Sequence, residues 1–156
     1  MNWVRAFVRE SNKIEGIHDI REREVDVHED FLTLPFVKID DLSNVVNVCA
    51  NAKLRNMPGM NVMVGNHLPI HGGPEVTKQL FELLTIINTY PNRSAYISHC
   101  DYETLHPYTD GNGRSGRLLW LWIMERQHHG SIRNKPWREL GFLHWWYYQS
   151  LQEGRT

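Results

Sequence analysis

A histidine, a carboxylate and two arginines fall within one short run, His106-Pro107-Tyr108-Thr109-Asp110-Gly111-Asn112-Gly113-Arg114-Ser115-Gly116-Arg117. An ordinary histidine titrates near ~6.5, so His106 can serve as a neutral base at cellular pH. Asp110 offers hard oxygens of the kind that share Mg²⁺ with phosphates and water. Glycines on either side of Asn112 let the backbone of Gly111, Asn112 and Gly113 approach a ligand closely and gather N–H groups into one concavity. The apolar run Leu118 to Met124 reads as the body of a buried helix. The turn then stands at a helix N-terminus, where unpaired N–H groups and the positive end of the dipole favour an anion. Arg114 and Arg117 are three apart, so on a helix they share a face and can grip one polyanion. Together these residues describe a cradle for a nucleoside triphosphate with a base at its rim.

Two cysteines, Cys49 and Cys100, lie in no metal or redox spacing and read as reduced core thiols. A net charge of −1 argues against a partner that is nucleic acid or a membrane surface. No apolar run approaches membrane-spanning length and no basic-then-apolar leader opens the sequence, which sets the cytoplasm as the expected compartment. A length of 156 residues suits one domain with a real core.

The run from His106 to Arg117 resembles the signature of the Fic (filamentation-induced-by-cAMP) family, H-P-F-x-[D/E]-G-N-G-R-x-x-R. It departs at Tyr108, where the family has Phe; the exchange keeps the ring and adds a hydroxyl that needs a partner. The resemblance implies a protein adenylyltransferase that moves AMP from ATP, with Mg²⁺, to a Ser, Thr or Tyr hydroxyl of a target protein, itself included. In that reading His106 takes the hydroxyl proton and Asp110 holds the metal. The backbone of Gly111, Asn112 and Gly113 lines the anion hole, and Arg114 and Arg117 hold the outer phosphates. A phosphate-transferring branch carries a lysine in the glycine turn, so the glycines here point to AMP transfer. Removal of AMP is the other enzymatic alternative, and a peptide-binding module without catalysis is the non-enzymatic one.

A second stretch, Ser11-Asn12-Lys13-Ile14-Glu15-Gly16, resembles the family's inhibitory pattern, [S/T]-x-x-x-E-[G/N]. Ser11 and Glu15 are four apart and share one face of any helix they occupy. A carboxylate delivered there could pair with Arg117 and remove a phosphate clamp. Gly16 is also simply a good helix stop. The resemblance implies the subclass whose inhibitory helix, here residues 1–17, lies in the same chain.

The elements that must position these groups read as mostly α: a Fic-type helical bundle with a small β-hairpin flap, in a single domain over residues 1–156. Trp3, Phe7 and Val8 mark one weak helical face near the start, and residues 18–30 are expected to form a charged connection or solvated helix end. Residues 42–54 read as an amphipathic helix, with Val45, Val46, Val48, Cys49 and Ala52. Met60 to Val64, bounded by Pro58-Gly59 and Gly65-Asn66, alternates as a strand does and predicts the hairpin, within a flap region over 55–73. Such a flap would hold an extended target segment along its edge. Pro74 opens a helix with Leu80, Leu83, Leu84 and Ile87 on its apolar face. A helix over 94–105 delivers His106, giving a helix–loop–helix over 94–126, and Lys135 to Leu151 forms a last helix rich in Trp and Tyr. His67 and His71 have ligand spacing, but Pro69 between them disfavours a helical metal pair. Asp101 and Glu103 read as solvated helix residues, and His128-His129 as helix-end residues. Trp145 to Tyr148 reads as core packing. The target protein stays open, as does homo-oligomerisation.

Overall fold

The computed structural model describes residues 2–128 and 136–138. Among them the chain is mostly helical: α1 (Asn2–Ile14), α2 (Glu22–Leu32), α3 (Ile39–Ala50), α4 (Pro74–Thr89), α5 (Ala95–Leu105) and α6 (Asn112–Gln127), with a 3₁₀ turn at Pro136–Arg138. The expected helix over Lys135 to Leu151, with Trp145 to Tyr148, lies almost wholly outside the described residues. None of the described helices is long and apolar enough to cross a membrane.

α6 is the central element. Every residue from Leu118 to Ile123 is buried, so this helix is apolar all round and must be enclosed. α5, α3, α2 and α1 pack around it. Phe7, Val27, Phe31, Leu42, Val45, Val46, Leu80, Leu84 and Ile87 close the core from the surrounding helices. Two helix starts show how the sequence signals act. Ser94 accepts a hydrogen bond from Ile97 N at 3.2 Å and so caps α5. Pro74 stands in the first turn of α4, where its missing N–H costs nothing.

Two expectations are corrected. The charged stretch after His18 contains a full helix, α2, whose Glu24, Val25, Val27, His28 and Phe31 are buried. Its inward face carries polar residues: Glu24 accepts from the Arg21 backbone N–H at 2.8 Å, and His28 Nδ1 lies 2.7 Å from the Glu24 carbonyl. The flap hairpin is also absent. The described residues contain no strand, only isolated bridges at Leu54–Tyr108 and Val64–His67. Val64 and His67 exchange two backbone bonds of 2.9 Å across Gly65-Asn66, and Gly65 takes φ 58°, a left-handed conformation that glycine adopts without cost. Residues 60–70 therefore form a loop with one bridged tight turn at its tip. The helix expected over 42–54 stops at Ala50, because Asn51 adopts the left-handed conformation at φ 49°. Residues 53–55 then run extended beside the 107–109 loop.

Candidate active site

The end of α5 places His106. His106 is the residue after the helix, at φ 50° and ψ 62°, and its N–H still bonds to the Tyr102 carbonyl at 2.9 Å. Pro107 disfavours continuation in right-handed helical geometry, so the chain turns out of the helix at the histidine. The loop is then pinned from outside. Arg55 N donates to Pro107 O and Thr109 N to Lys53 O, both at 2.9 Å. Burial first, and next the nearby Arg55 cation, push the His106 imidazole down to about 4, against smaller upward pulls from the Glu103 carbonyl and Asp110. The ring is therefore neutral at cellular pH and ready to accept a proton.

Asn112 builds the turn. Its Oδ1 accepts from Tyr108 N at 2.9 Å and its Nδ2 donates to Tyr108 O at 2.8 Å, closing the loop on itself. The additional hydroxyl of Tyr108 lies 2.8 Å from Ser43 Oγ and donates to Ile39 O at 3.3 Å, so the Phe-to-Tyr departure is accommodated in a fully buried site. Gly111 sits at φ 77°, and a Cβ there would press on Ala50 Cβ at 2.9 Å, so both backbone and space demand glycine. Its N–H is already taken by Asp110 Oδ1 at 2.7 Å. The anion-binding capacity of the turn thus lies in the first-turn N–H groups of α6, which begins at Asn112.

Asp110 is exposed at the loop's outer edge. Among the described residues no group of three or more His, Cys, Asp or Glu side chains could hold a metal. One exposed carboxylate fits Mg²⁺ only if phosphates and water supply the remaining ligands.

The two arginines point to different neighbours. Arg117, 1% exposed, donates from Nε to Ser11 Oγ at 2.8 Å and from one terminal nitrogen to Ser11 O at 2.9 Å and Glu15 Oε1 at 2.8 Å. Ser11 and Glu15 reach it together because α1 ends in a glycine-terminated cap: Ile17 N bonds to Asn12 O and Gly16 N to Lys13 O, both at 2.9 Å, with Gly16 at φ 74°. Glu15 sits beside Gly113, where an added Cβ would collide with its Oε1. Arg114 instead donates to the Cys49 carbonyl at 2.6 Å and fastens the end of α3 to the first turn of α6. The structure thus gathers His106, Asp110, Gly111, Asn112, Gly113, Arg117, Ser11 and Glu15 around one loop, with Gly16 exposed in the cap beside Glu15 and Arg114 directed to the end of α3.

Residues 68–124 match the Fic/DOC family. The Fic/DOC match spans α4, α5, the loop and most of α6, and so contains His106 to Arg117. It does not reach α1 with Ser11 and Glu15, or the segment around Arg55.

Arg55 is the site residue that sequence reasoning missed. It is fully buried and makes four side-chain bonds to backbone carbonyls: Nε to His106 at 2.7 Å, one terminal nitrogen to Ile70 at 2.8 Å and Met60 at 3.1 Å, the other to Leu105 at 3.0 Å. A lone arginine in a Gly- and Pro-punctuated stretch gives no pattern to read. Glu103 also differs from expectation, its side chain being 12% exposed and packed against the α6 face at Gly116. Asp101 is solvated and pairs with Arg93 at 2.6 Å. His67 lies in the loop and donates from Nε2 to Thr104 O at 2.8 Å.

Proposed function

We propose that the protein is a Fic-type protein adenylyltransferase held in check by its own α1. What supports the reading most is a single convergence: a neutral histidine, an exposed carboxylate and a glycine-bounded helix N-terminus share one loop, and Arg117 beside it is engaged by Glu15. ATP would lay its phosphates over the first turn of α6, with the outer ones at Arg117. Arg114, behind the turn, holds the scaffold and adds positive field. His106 takes the proton from a Ser, Thr or Tyr hydroxyl, the oxygen bonds to the α-phosphorus, and the bond from that phosphorus to pyrophosphate breaks. Mg²⁺, held by Asp110 and phosphate oxygens, would supply charge neutralisation on the phosphates. Pyrophosphate departs on the side away from the base.

The inhibitory part rests on exclusion. Glu15 Oε1 and a γ-phosphate oxygen compete for the same guanidinium, and two anions cannot both take it. The carboxylate also lies against Gly113, inside the turn that would receive phosphate.

Asp110→Ala tests the metal assignment. Metal affinity should fall at least about tenfold, so that activity is lost at limiting Mg²⁺ and largely restored at saturating Mg²⁺. A titration of rate against Mg²⁺ checks it; equal loss at every concentration would refute the role.

The pH profile tests the base. Below its pKa the imidazole is protonated and cannot accept the hydroxyl proton, so the rate falls as pH falls through that value. The acid limb of kcat/KM, which reports the free enzyme, is expected near 4. A limb at the ordinary histidine value would contradict the buried, cation-flanked setting described for His106.

A further inference from the structure

We infer that Arg55 is a positioning residue for the base: its guanidinium locks the His106 carbonyl and both legs of the 60–70 loop into one unit. The inference rests on the reading of His106 as base and adds a residue outside the signature.

Burying a guanidinium is costly unless its donors are satisfied, and among the described residues no carboxylate pairs with Arg55. Carbonyl dipoles satisfy it instead. Leu105 O and His106 O close the C-terminal end of α5, where the helix dipole is negative and a cation is favoured. Met60 O and Ile70 O come from the two sides of the loop whose tip is the Val64–His67 turn. The backbone of the same residue adds two more ties, Arg55 N to Pro107 O and Gly73 N to Arg55 O, both at 2.9 Å.

This geometry answers two structural questions at once. His106 stands at positive φ, a conformation that a non-glycine residue holds only when its surroundings enforce it. The Nε bond to its own carbonyl, with the neighbouring bond to Leu105, is that enforcement. The loop, for its part, has no strand ladder to keep its legs together, and the Arg55 fork takes the ladder's place. A target segment resting on the loop is thereby referenced to the base through one rigid planar group.

The test uses the full chain in a Glu15→Gly background, with Arg55→Met and Arg55→Lys compared with the parent. Arg55→Met removes fork and charge. Arg55→Lys keeps the charge but cannot reproduce the planar fork, and serves if the Met variant does not fold. Both should bind ATP as the parent does, because the Arg55 side chain touches no part of the phosphate turn. The kcat for AMP transfer should fall by about 100-fold in both, the scale expected when a reacting group is misplaced by an ångström. Loss of the cation should also raise the pH at which His106 titrates in Arg55→Met but not in Arg55→Lys, read by NMR of the histidine ring. That titration needs no turnover, so it reports on Arg55 even if the parent transfers no AMP and the proposed function fails. Folded variants with unchanged kcat, or an unmoved His106 titration in Arg55→Met, would overturn the inference.

Discussion

Glu15→Gly raises AMP incorporation by about tenfold or more when ATP is below saturation. The Arg117–Glu15 pair is 2.8 Å long, but the Glu15 side chain is 38% exposed, so its direct contribution is discounted to about 1 kcal/mol or less. Exclusion should count for more: in the proposed reading, with the carboxylate on Arg117, an outer phosphate would meet an occupied guanidinium and a like charge. Each 1.4 kcal/mol of lost inhibition is about a tenfold rise in the competent population. The substitution is also structurally mild. Glu15 follows the last residue of α1, Ile14, and its backbone belongs to the cap, so glycine there costs less than inside a helix. Arg117 stays tethered to Ser11 through two bonds and remains in place to receive phosphate. Arg117→Ala breaks the same pair but also removes the clamp, and is expected to stay poorly active. Loss of an AMP-removing activity in Glu15→Gly would instead assign Glu15 to positioning water.

His106→Ala lowers transfer by about 10²–10⁴-fold, the span of a general base, with ATP affinity retained. In the proposed reading the phosphates would rest on the first turn of α6 and on Arg117, and the imidazole is not part of that grip, so binding and chemistry should separate. A backbone question accompanies the variant. Position 106 stands at φ 50°, which alanine tolerates less well than asparagine. His106→Asn therefore keeps the left-handed turn and the carbonyl that Arg55 holds while removing the base. Equal loss in both variants, read by radiolabel transfer beside calorimetric ATP binding, assigns the effect to proton removal. Substantial transfer by either one contradicts it.

The contrast between what is legible in the sequence and what is not follows from where the information lies. The loop is legible because its chemistry is local: Asn112 closes on Tyr108, Gly111 needs its positive φ, and the apolar block after Arg117 can only be a buried helix. Ser11 and Glu15 are legible as a spacing, since the cap at Gly16 places both on one face. α2 is hidden because its inward face includes Glu24 and His28, which break the apolar period while being bonded locally. The alternation of Met60 to Val64 suggests a hairpin, yet Met63 stands 71% exposed. Among the described residues no partner strand runs beside that segment, and the side chain that bonds to Met60 O and Ile70 O lies outside it, at Arg55. Helical spacing also misjudges the arginine pair. Residues three apart begin on one face, but their long side chains diverge, one to the end of α3 and the other to α1. Long-range partners of this kind leave no trace in local periodicity.

Intact-mass spectrometry of the Glu15→Gly protein after incubation with ATP and Mg²⁺ tests the central claim most directly. The account predicts that the chain gains AMP, that chelating the metal prevents the gain, and that adding His106→Ala abolishes it. A gain of phosphate, or no adduct from a folded protein that binds ATP, would contradict the assignment of this site to adenylyl transfer.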